Sequence, residues 1–168
     1  MSLAFERYIT EKLVPTLAAH SKPEIMLLTC MDYRYAHRIT DVMDQKGLRF
    51  KYDMFVLAGA SLGGNAGEGT TGNQVPAAWR EALVTHIRAA QAIHHPITKL
   101  VILEHRQCGA YKHFLGLDWE QVLPGDEAQV HQAQVQKLAA YLKTEFPGFT
   151  VDALLLTREE DDELCMNC

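Results

Sequence analysis

Four short apolar runs recur along the chain and are separated by longer amphipathic segments. The runs cover Ile25 to Cys30, Met54 to Ala58, Leu100 to Glu104 and Val151 to Leu156. Uninterrupted apolar runs of this length are typical of strands that are buried on both faces of a parallel sheet. Strands that alternate with helices predict an α/β fold, with a mostly parallel central sheet of about four or more strands flanked by helices.

The segments between these runs have the spacing of helices. Ala36 to Lys46 carries its apolar residues on one side, and Pro76 can open a second helix as its first residue. A third helix is predicted over about Ala128 to Phe146. The segment from Leu3 to Ala19 is predicted to be a further helix, which Pro15 should kink or divide.

The size and charge of the chain limit the kinds of partner that it can have. Its 168 residues are most simply one domain over 1–168, with a helical arm at 1–20 and an acidic tail at 158–168. The net charge is −5 and basic residues are scattered, which argues against nucleic-acid binding. No apolar stretch approaches the roughly 18 residues of a membrane helix, and the first residues lack the pattern of a secretory signal. We therefore expect a cytoplasmic protein without a membrane or nucleic-acid partner.

Four cysteines occur, at positions 30, 108, 165 and 168, which is too few for the disulfide framework of a small secreted domain. In a reducing compartment, metal binding or catalysis is the more common use of cysteine. Cys165 and Cys168 lie at the end of the sequence with no helix behind them to lower a thiol pKa. For this pair we expect a loose tail without chemistry.

Cys30 and the segment from His105 to Cys108 each follow a predicted strand. Because ligands in such sheets gather at the carboxyl ends of the strands, these residues should lie close together. Two thiolates and one imidazole suit zinc, and three protein ligands leave a fourth tetrahedral position open, as in catalytic sites. The alternative is that the cysteines are small buried apolar residues and His105 is a satisfied strand-end histidine. The joint placement of the three residues favours the metal site.

Cys30, Asp32 and Arg34 occupy alternate positions where the first predicted strand ends. In an extended segment alternate side chains lie on the same side, so Asp32 would lie near whatever Cys30 binds. Arg34 would keep the Asp32 carboxylate ionised and oriented. The alternative is a surface ion pair that caps the next helix.

This order of residues, C-x-D-x-R at 30–34 followed by H-x-x-C-G at 105–109, closely resembles that of the β-class carbonic anhydrases. The resemblance implies a β-carbonic-anhydrase-like fold and a zinc enzyme, a carbonate dehydratase. The implied reaction is the reversible hydration of CO₂ to bicarbonate by a zinc-bound hydroxide. The resemblance also implies self-association as a dimer or higher oligomer, with the N-terminal helix packed on the partner. The implied site residues are the zinc ligands Cys30, His105 and Cys108 and the catalytic pair Asp32 and Arg34.

One segment departs from the family pattern. After the second strand the family commonly has Arg-Asn-Ala-Gly-Asn, whereas this chain reads "LAGASLG" from residue 57 to residue 63. Because glycine lets the backbone approach a ligand closely, we expect amides at Gly59, Ala60, Ser61 and Gly109 to line a small substrate pocket. The missing side chains leave two alternatives open. One is hydrolysis of carbonyl sulfide or carbon disulfide on the same zinc site, and the other is a non-catalytic relative whose metal is structural or absent.

Overall fold

A five-stranded sheet lies at the centre of the computed structural model, which describes residues 3–17, 23–70, 72–93, 97–156 and 165–167. The strands in chain order are β1 (Ile25–Thr29), β2 (Tyr52–Val56), β3 (Gly69–Thr70), β4 (Asn73–Gln74), β5 (Lys99–His105), β6 (Thr150–Leu156) and β7 (Cys165–Asn167). The order in the sheet is β2-β1-β5-β6-β7, and β3 with β4 forms a separate antiparallel pair. The first four strands of the sheet are parallel. This confirms the predicted α/β class.

Helices cover both faces of the sheet. In chain order they are α1 (Leu3–Tyr8), a π-helical segment (Ile9–Leu13), α2 (Val14–Leu17), α3 (Tyr33–Gln45), α4 (Ser61–Gly64), α5 (Ala77–Ile93), α6 (Gly109–Leu115) and α7 (Pro124–Glu145). The N-terminal helical segments and α3 pack on one face, and α5 and α7 pack on the other. None of the helices in the described part of the chain is both long and apolar enough to cross a membrane.

The alternation of side chains along each buried strand explains this two-sided core. In β1, Ile25 and Leu27 pack under α3, whereas Met26 and Leu28 pack against the helices of the opposite face. Successive strand residues point to opposite faces, so a strand with helices on both sides must be apolar at every position. The carboxyl ends of β1 and β5 are direct neighbours, since Thr29 pairs with Leu103. Residues that follow these two strands therefore meet at one edge of the sheet.

The N-terminal segment stays helical through Pro15 and changes its winding before it. The π-helical turn from Ile9 to Leu13 directly precedes the turn that contains Pro15. Proline cannot donate a backbone hydrogen bond, and its ring clashes with the carbonyl four residues earlier in an ideal α-helix. The apolar side of this segment packs on the chain's own sheet, with Phe5, Ile9 and Leu13 buried. Packing of its other side on a partner stays a prediction.

The last described segment pairs with the sheet. β7 runs antiparallel to β6, with Met166 opposite Ala153. The expectation of a loose tail is therefore wrong for residues 165–167, because their backbone continues the edge of the sheet. The acidic run from Glu159 to Glu163 and the second cysteine of the terminal pair, Cys168, lie outside the described residues.

Candidate metal centre

Cys30, His105 and Cys108 converge at the carboxyl edge of the sheet. Cys30 directly follows β1, His105 is the last residue of β5, and Cys108 stands at the N-cap of α6. All three side chains are buried, and their ligand atoms lie within 4.8 Å of one another. The structure thus brings together the three residues that the sequence suggests as metal ligands, and this group could hold a metal ion.

The spacing and hydrogen bonding of the three side chains fit a metal ion. The sulfur atoms of Cys30 and Cys108 are 3.8 Å apart. Two sulfurs bound to one tetrahedral zinc at about 2.3 Å each would be separated by about 3.8 Å. His105 Nδ1 lies 2.9 Å from the carbonyl oxygen of Arg106, whereas its Nε2 is buried and has no hydrogen-bond partner among the described residues. A ring that donates from Nδ1 to a carbonyl presents Nε2 as a free ligand atom, which is the usual arrangement of a metal-binding histidine.

The electrostatics of the group favour a thiolate at Cys30. The hydrogen bond with Cys108 lowers the pKa of the Cys30 thiol to about 4, and His105 and the Gly59 amide add to this effect against burial. The same pairing, together with burial, raises the pKa of Cys108. Burial lowers the pKa of His105, but its interactions with the Cys30 sulfur outweigh burial and raise it overall. Since the thiolate is the form of cysteine that binds metals, Cys30 is prepared for a metal at neutral pH.

Asp32 and Arg34 form an ion pair beside these ligand atoms. Arg34 Nε donates to Asp32 Oδ1 at 2.7 Å, and its NH2 group donates to Oδ2. The Arg34 side chain, with smaller contributions from the Arg34 backbone amide and His105, lowers the pKa of Asp32 to about 2 against the effect of burial. Asp32 Oδ2 lies 3.7 Å from His105 Nε2. An ionised carboxylate is therefore fixed next to the candidate metal position.

The route by which Asp32 and Arg34 meet differs from the predicted one. The alternation of an extended segment ends at Asp32, because α3 begins at Tyr33 and Arg34 lies in its first turn. Asp32 is the N-cap of α3, and its Oδ1 accepts a hydrogen bond from the Arg34 amide at 3.0 Å. The predicted alternatives are thus combined in one residue, since Asp32 caps the helix and also faces His105.

The loop after β2 supports the sulfur atoms and leaves few free amides. The amide of Gly59 donates to Cys30 Sγ at 3.3 Å, and a Cβ at Gly59 would lie 3.0 Å from that of Ala110. Ala60 is fully buried, and Ser61 donates its amide and hydroxyl to Glu104. The expectation that Gly59, Ala60 and Ser61 line a substrate pocket does not match these contacts, because the Gly59 and Ser61 amides already have acceptors.

An open cleft of about 590 Å³ lies over Cys30 and Asp32. Gly109 lines this cleft, as the sequence suggests. Most of the remaining wall is apolar and was not expected from the sequence, since its residues come from separate elements: Met31, Ala58, Trp79, Ala110 and Phe114. Tyr33 and His113 are the polar side chains that share this wall. Met31 and Tyr33 lie between the residues of the C-x-D-x-R motif, and this position in the sequence could have indicated that they line the site.

Comparison with known sequences finds relatives without an assigned function. An uncharacterized protein of Rickettsia conorii is 31% identical over 132 residues, which cover 78% of this chain and 66% of that protein. An uncharacterized protein of Rickettsia bellii is 28% identical over 131 residues, which cover 78% of this chain and 74% of the relative. The chain thus spans slightly less than two thirds of the first of these relatives. No family model matches the chain.

Comparison with solved structures identifies the fold. The β-carbonic anhydrase isoform I of Trichomonas vaginalis aligns over 99% of this chain and 98% of its own, with a TM-score of 0.51 and 17% identity. The fold is that of the β-carbonic anhydrases. A tetrameric β-carbonic anhydrase of Sordaria macrospora aligns over 92% of this chain and 87% of its own, with a TM-score of 0.50 and 15% identity. At such identities the likeness establishes the fold, and the chemistry must be argued from the site.

Proposed function

We propose that this chain is a zinc-dependent carbonic anhydrase that interconverts CO₂ and bicarbonate. The observation that carries the proposal is the convergence of Cys30, His105 and Cys108 beside an ionised Asp32. The two sulfurs and His105 Nε2 would hold zinc and leave a fourth position open to the cleft. Zinc held there would lower the pKa of a coordinated water and so supply hydroxide as the nucleophile.

Asp32 would orient the reacting water. Its Oδ2 lies 3.7 Å from His105 Nε2, so the carboxylate stands beside the fourth metal position. It could orient a water there or, when released by Arg34, occupy that position itself and block the site. With a pKa of about 2, Asp32 is ionised at neutral pH and can only accept a hydrogen bond. Arg34 binds both carboxylate oxygens and limits their rotation. The proton of the water would then point at Asp32 and its lone pair at the cleft, which is a positioning contribution to the rate.

The cleft suits a small uncharged substrate. Met31, Trp79 and Phe114 present apolar surface next to the ligand atoms. An apolar wall offers CO₂ a site with little competition from ordered water, because CO₂ carries no net charge and water gains no hydrogen bonds there. Bicarbonate, the charged product, has few partners on the same wall and should leave readily.

A second candidate, hydrolysis of carbonyl sulfide or carbon disulfide, is favoured by the same apolar wall. These molecules are uncharged like CO₂ and larger than it, and the stretch from Leu57 to Ser61 carries no cationic or amide side chain. Turnover of CO₂ and of carbonyl sulfide should be compared under identical conditions. A higher kcat/KM for carbonyl sulfide than for CO₂ would assign the chain to this second reaction.

Self-association and a cytoplasmic location belong to the same proposal. Met31 and Tyr33 are 68% and 85% exposed beside the cleft, and β2 is an edge strand of the sheet. Exposed apolar side chains around a site are typical of surfaces that another chain covers. Cys30 and Cys108 are free thiols, which a reducing compartment would preserve. Light scattering after size-exclusion chromatography would test the oligomer, and a monomer at all concentrations would contradict it.

Metal content and CO₂ hydration by stopped flow test the main proposal together. We expect about one zinc per chain in the wild type, loss of zinc in Cys108→Ala, and retention of zinc in Asp32→Asn. The Asp32→Asn variant should hydrate CO₂ about 10-fold to 100-fold more slowly, since the group that orients the water is lost. Asp41→Asn, an exposed change on α3, is the matched control and should leave the rate unchanged. Full zinc content in Cys108→Ala would refute the ligand set.

A further inference from the structure

Two loops beside the metal centre contain residues with unusual backbone angles. Ala60 has φ 44° and Gln107 has φ 53°, and neither is glycine. Ala60 follows Gly59, whose amide donates to Cys30 Sγ, and Gln107 lies between His105 and Cys108. Such backbone angles cost free energy and persist only where the surroundings hold them. The question is which contacts hold both loops.

A carboxylate with little exposure binds a backbone amide at or next to each strained position. Glu104 is 1% exposed, and its Oε1 accepts a hydrogen bond from the Ser61 amide at 2.8 Å. Glu127 is 5% exposed, and its Oε1 accepts from the Gln107 amide at 2.5 Å. The first contact holds the loop that supports Cys30. The second holds the loop that carries the other two candidate ligands.

His131 of α7 lies between these two carboxylates. It is 0% exposed, and its Nδ1 lies 2.9 Å from Glu104 Oε2. Its Nε2 lies 3.9 Å from Glu127 Oε1 and has no hydrogen-bond partner among the described residues. Its ring is 4.1 Å from the ring of the buried Tyr111, centroid to centroid, which fixes its orientation. The histidine thus binds the carboxylate that anchors the first loop and lies beside the carboxylate that anchors the second.

We propose that His131 is a positioning residue, which holds the loop that supports Cys30 in place through its hydrogen bond to Glu104. Burying a carboxylate and a histidine where apolar side chains would pack is costly unless the two groups bind each other. A buried hydrogen-bonded network fixes the positions of its members, whereas apolar packing alone would leave them less constrained. The inference rests on the metal site of the proposed function, and neither His131 nor Glu104 has a part in the proposed chemistry.

Three substitutions at position 131 separate the hydrogen bond to Glu104 from mere packing. His131→Asn places an amide where Nδ1 stands and can still donate to Glu104, whereas His131→Gln places it where Nε2 stands. His131→Leu keeps the volume and removes the hydrogen bond. Gln134→Leu is the matched control for zinc affinity, because Gln134 is a buried polar residue of α7 that bonds Asn65 and Glu68 and neither Ser61 nor Gln107.

The measurements are zinc affinity, by competition with a chromophoric chelator, and hydrogen exchange of peptides covering residues 57–65 in the metal-free protein. We expect His131→Leu to bind zinc about 10-fold more weakly and to exchange faster in that segment, and His131→Asn to recover most of both. His131→Gln should resemble His131→Leu, and Gln134→Leu should keep wild-type affinity.

Each outcome of this experiment supports or overturns the inference. Wild-type affinity and exchange in His131→Leu would overturn it and leave the proposed function intact. Absence of zinc binding in the wild type would overturn both. Where circular dichroism shows that His131→Leu does not fold, His131→Asn and His131→Gln decide the matter, and equal zinc affinities of these two would overturn the role of the hydrogen bond to Glu104.

Discussion

Replacing Arg34 with methionine should change stability in a way that depends on pH through Asp32. Arg34 lowers the pKa of Asp32 from 3.8 to about 2. Each pKa unit corresponds to about 1.4 kcal/mol, so the pair contributes about 2 kcal/mol at neutral pH. The side chains are 22% and 14% exposed, which leaves little screening by solvent.

The direction of this pH dependence follows from the lowered pKa of Asp32. Asp32 is more acidic in the folded chain than in the unfolded one, so its contribution is complete above pH 3.8 and is lost as pH falls through about 2. Urea unfolding of the metal-free, reduced protein at pH 7 and pH 5 should show the same loss of about 2 kcal/mol in Arg34→Met. The Asp32 carboxyl, followed by ¹³C NMR, should titrate at a higher pKa in the variant than in the wild type, because the backbone amide and His105 remain but the guanidinium is lost.

The exposed Arg38, one turn further along α3, provides the matched control. Arg38→Met should lower the free energy of unfolding by less than about 0.5 kcal/mol, as expected for the substitution of a surface residue. Equal losses in the two variants would refute the argument that the ion pair stabilises the fold. An unchanged Asp32 pKa in Arg34→Met would refute its electrostatic cause.

Three further results are expected. Gly59→Ala should lower the free energy of unfolding by about 1 to 3 kcal/mol, because its Cβ would meet Ala110. Gly67 has a similar φ of 81° but open space around its Cβ position, so comparing the urea midpoints of Gly59→Ala and Gly67→Ala isolates the clash. Leu138→Ala should cost about 2 to 5 kcal/mol in the same assay, because the side chain is fully buried between α7 and the sheet. The rate of CO₂ hydration should rise towards alkaline pH, because two thiolates cancel the formal charge of zinc and weaken its effect on bound water; a rate that is highest in acid would contradict this.

The parallel sheet could be predicted because its signal is local. Each buried strand is an apolar run, and the alternation of such runs with helices indicates a parallel sheet. The boundaries were less accurate where a side chain or a turn decides them. α3 begins at Tyr33 and not at Ala36, because Asp32 caps it. β2 ends at Val56, two residues before the predicted end, because the chain turns from Leu57 into α4.

The candidate ligands could also be named from the sequence, since Cys30 and His105 directly follow apolar runs that pair in the sheet. The residues that hold the loops around these ligands could not be predicted from the sequence. Glu104 is the last residue of an apolar run and gives no sign that it is fully buried, and His131 lies 27 positions further along the chain. Their contact depends on how α7 crosses the sheet, which no local pattern specifies. The same holds for Trp79 and Phe114, whose helical spacing indicates a core position and not a cleft wall.

X-ray absorption at the zinc edge of the zinc-loaded protein tests the central claim most directly. If Cys30, His105 and Cys108 hold the metal, the spectrum should show two sulfur atoms at about 2.3 Å and two nitrogen or oxygen atoms at about 2.0 to 2.1 Å. The Cys30→Ser variant should lose one sulfur from this shell. A first shell without sulfur, or one with four sulfurs, would contradict the account.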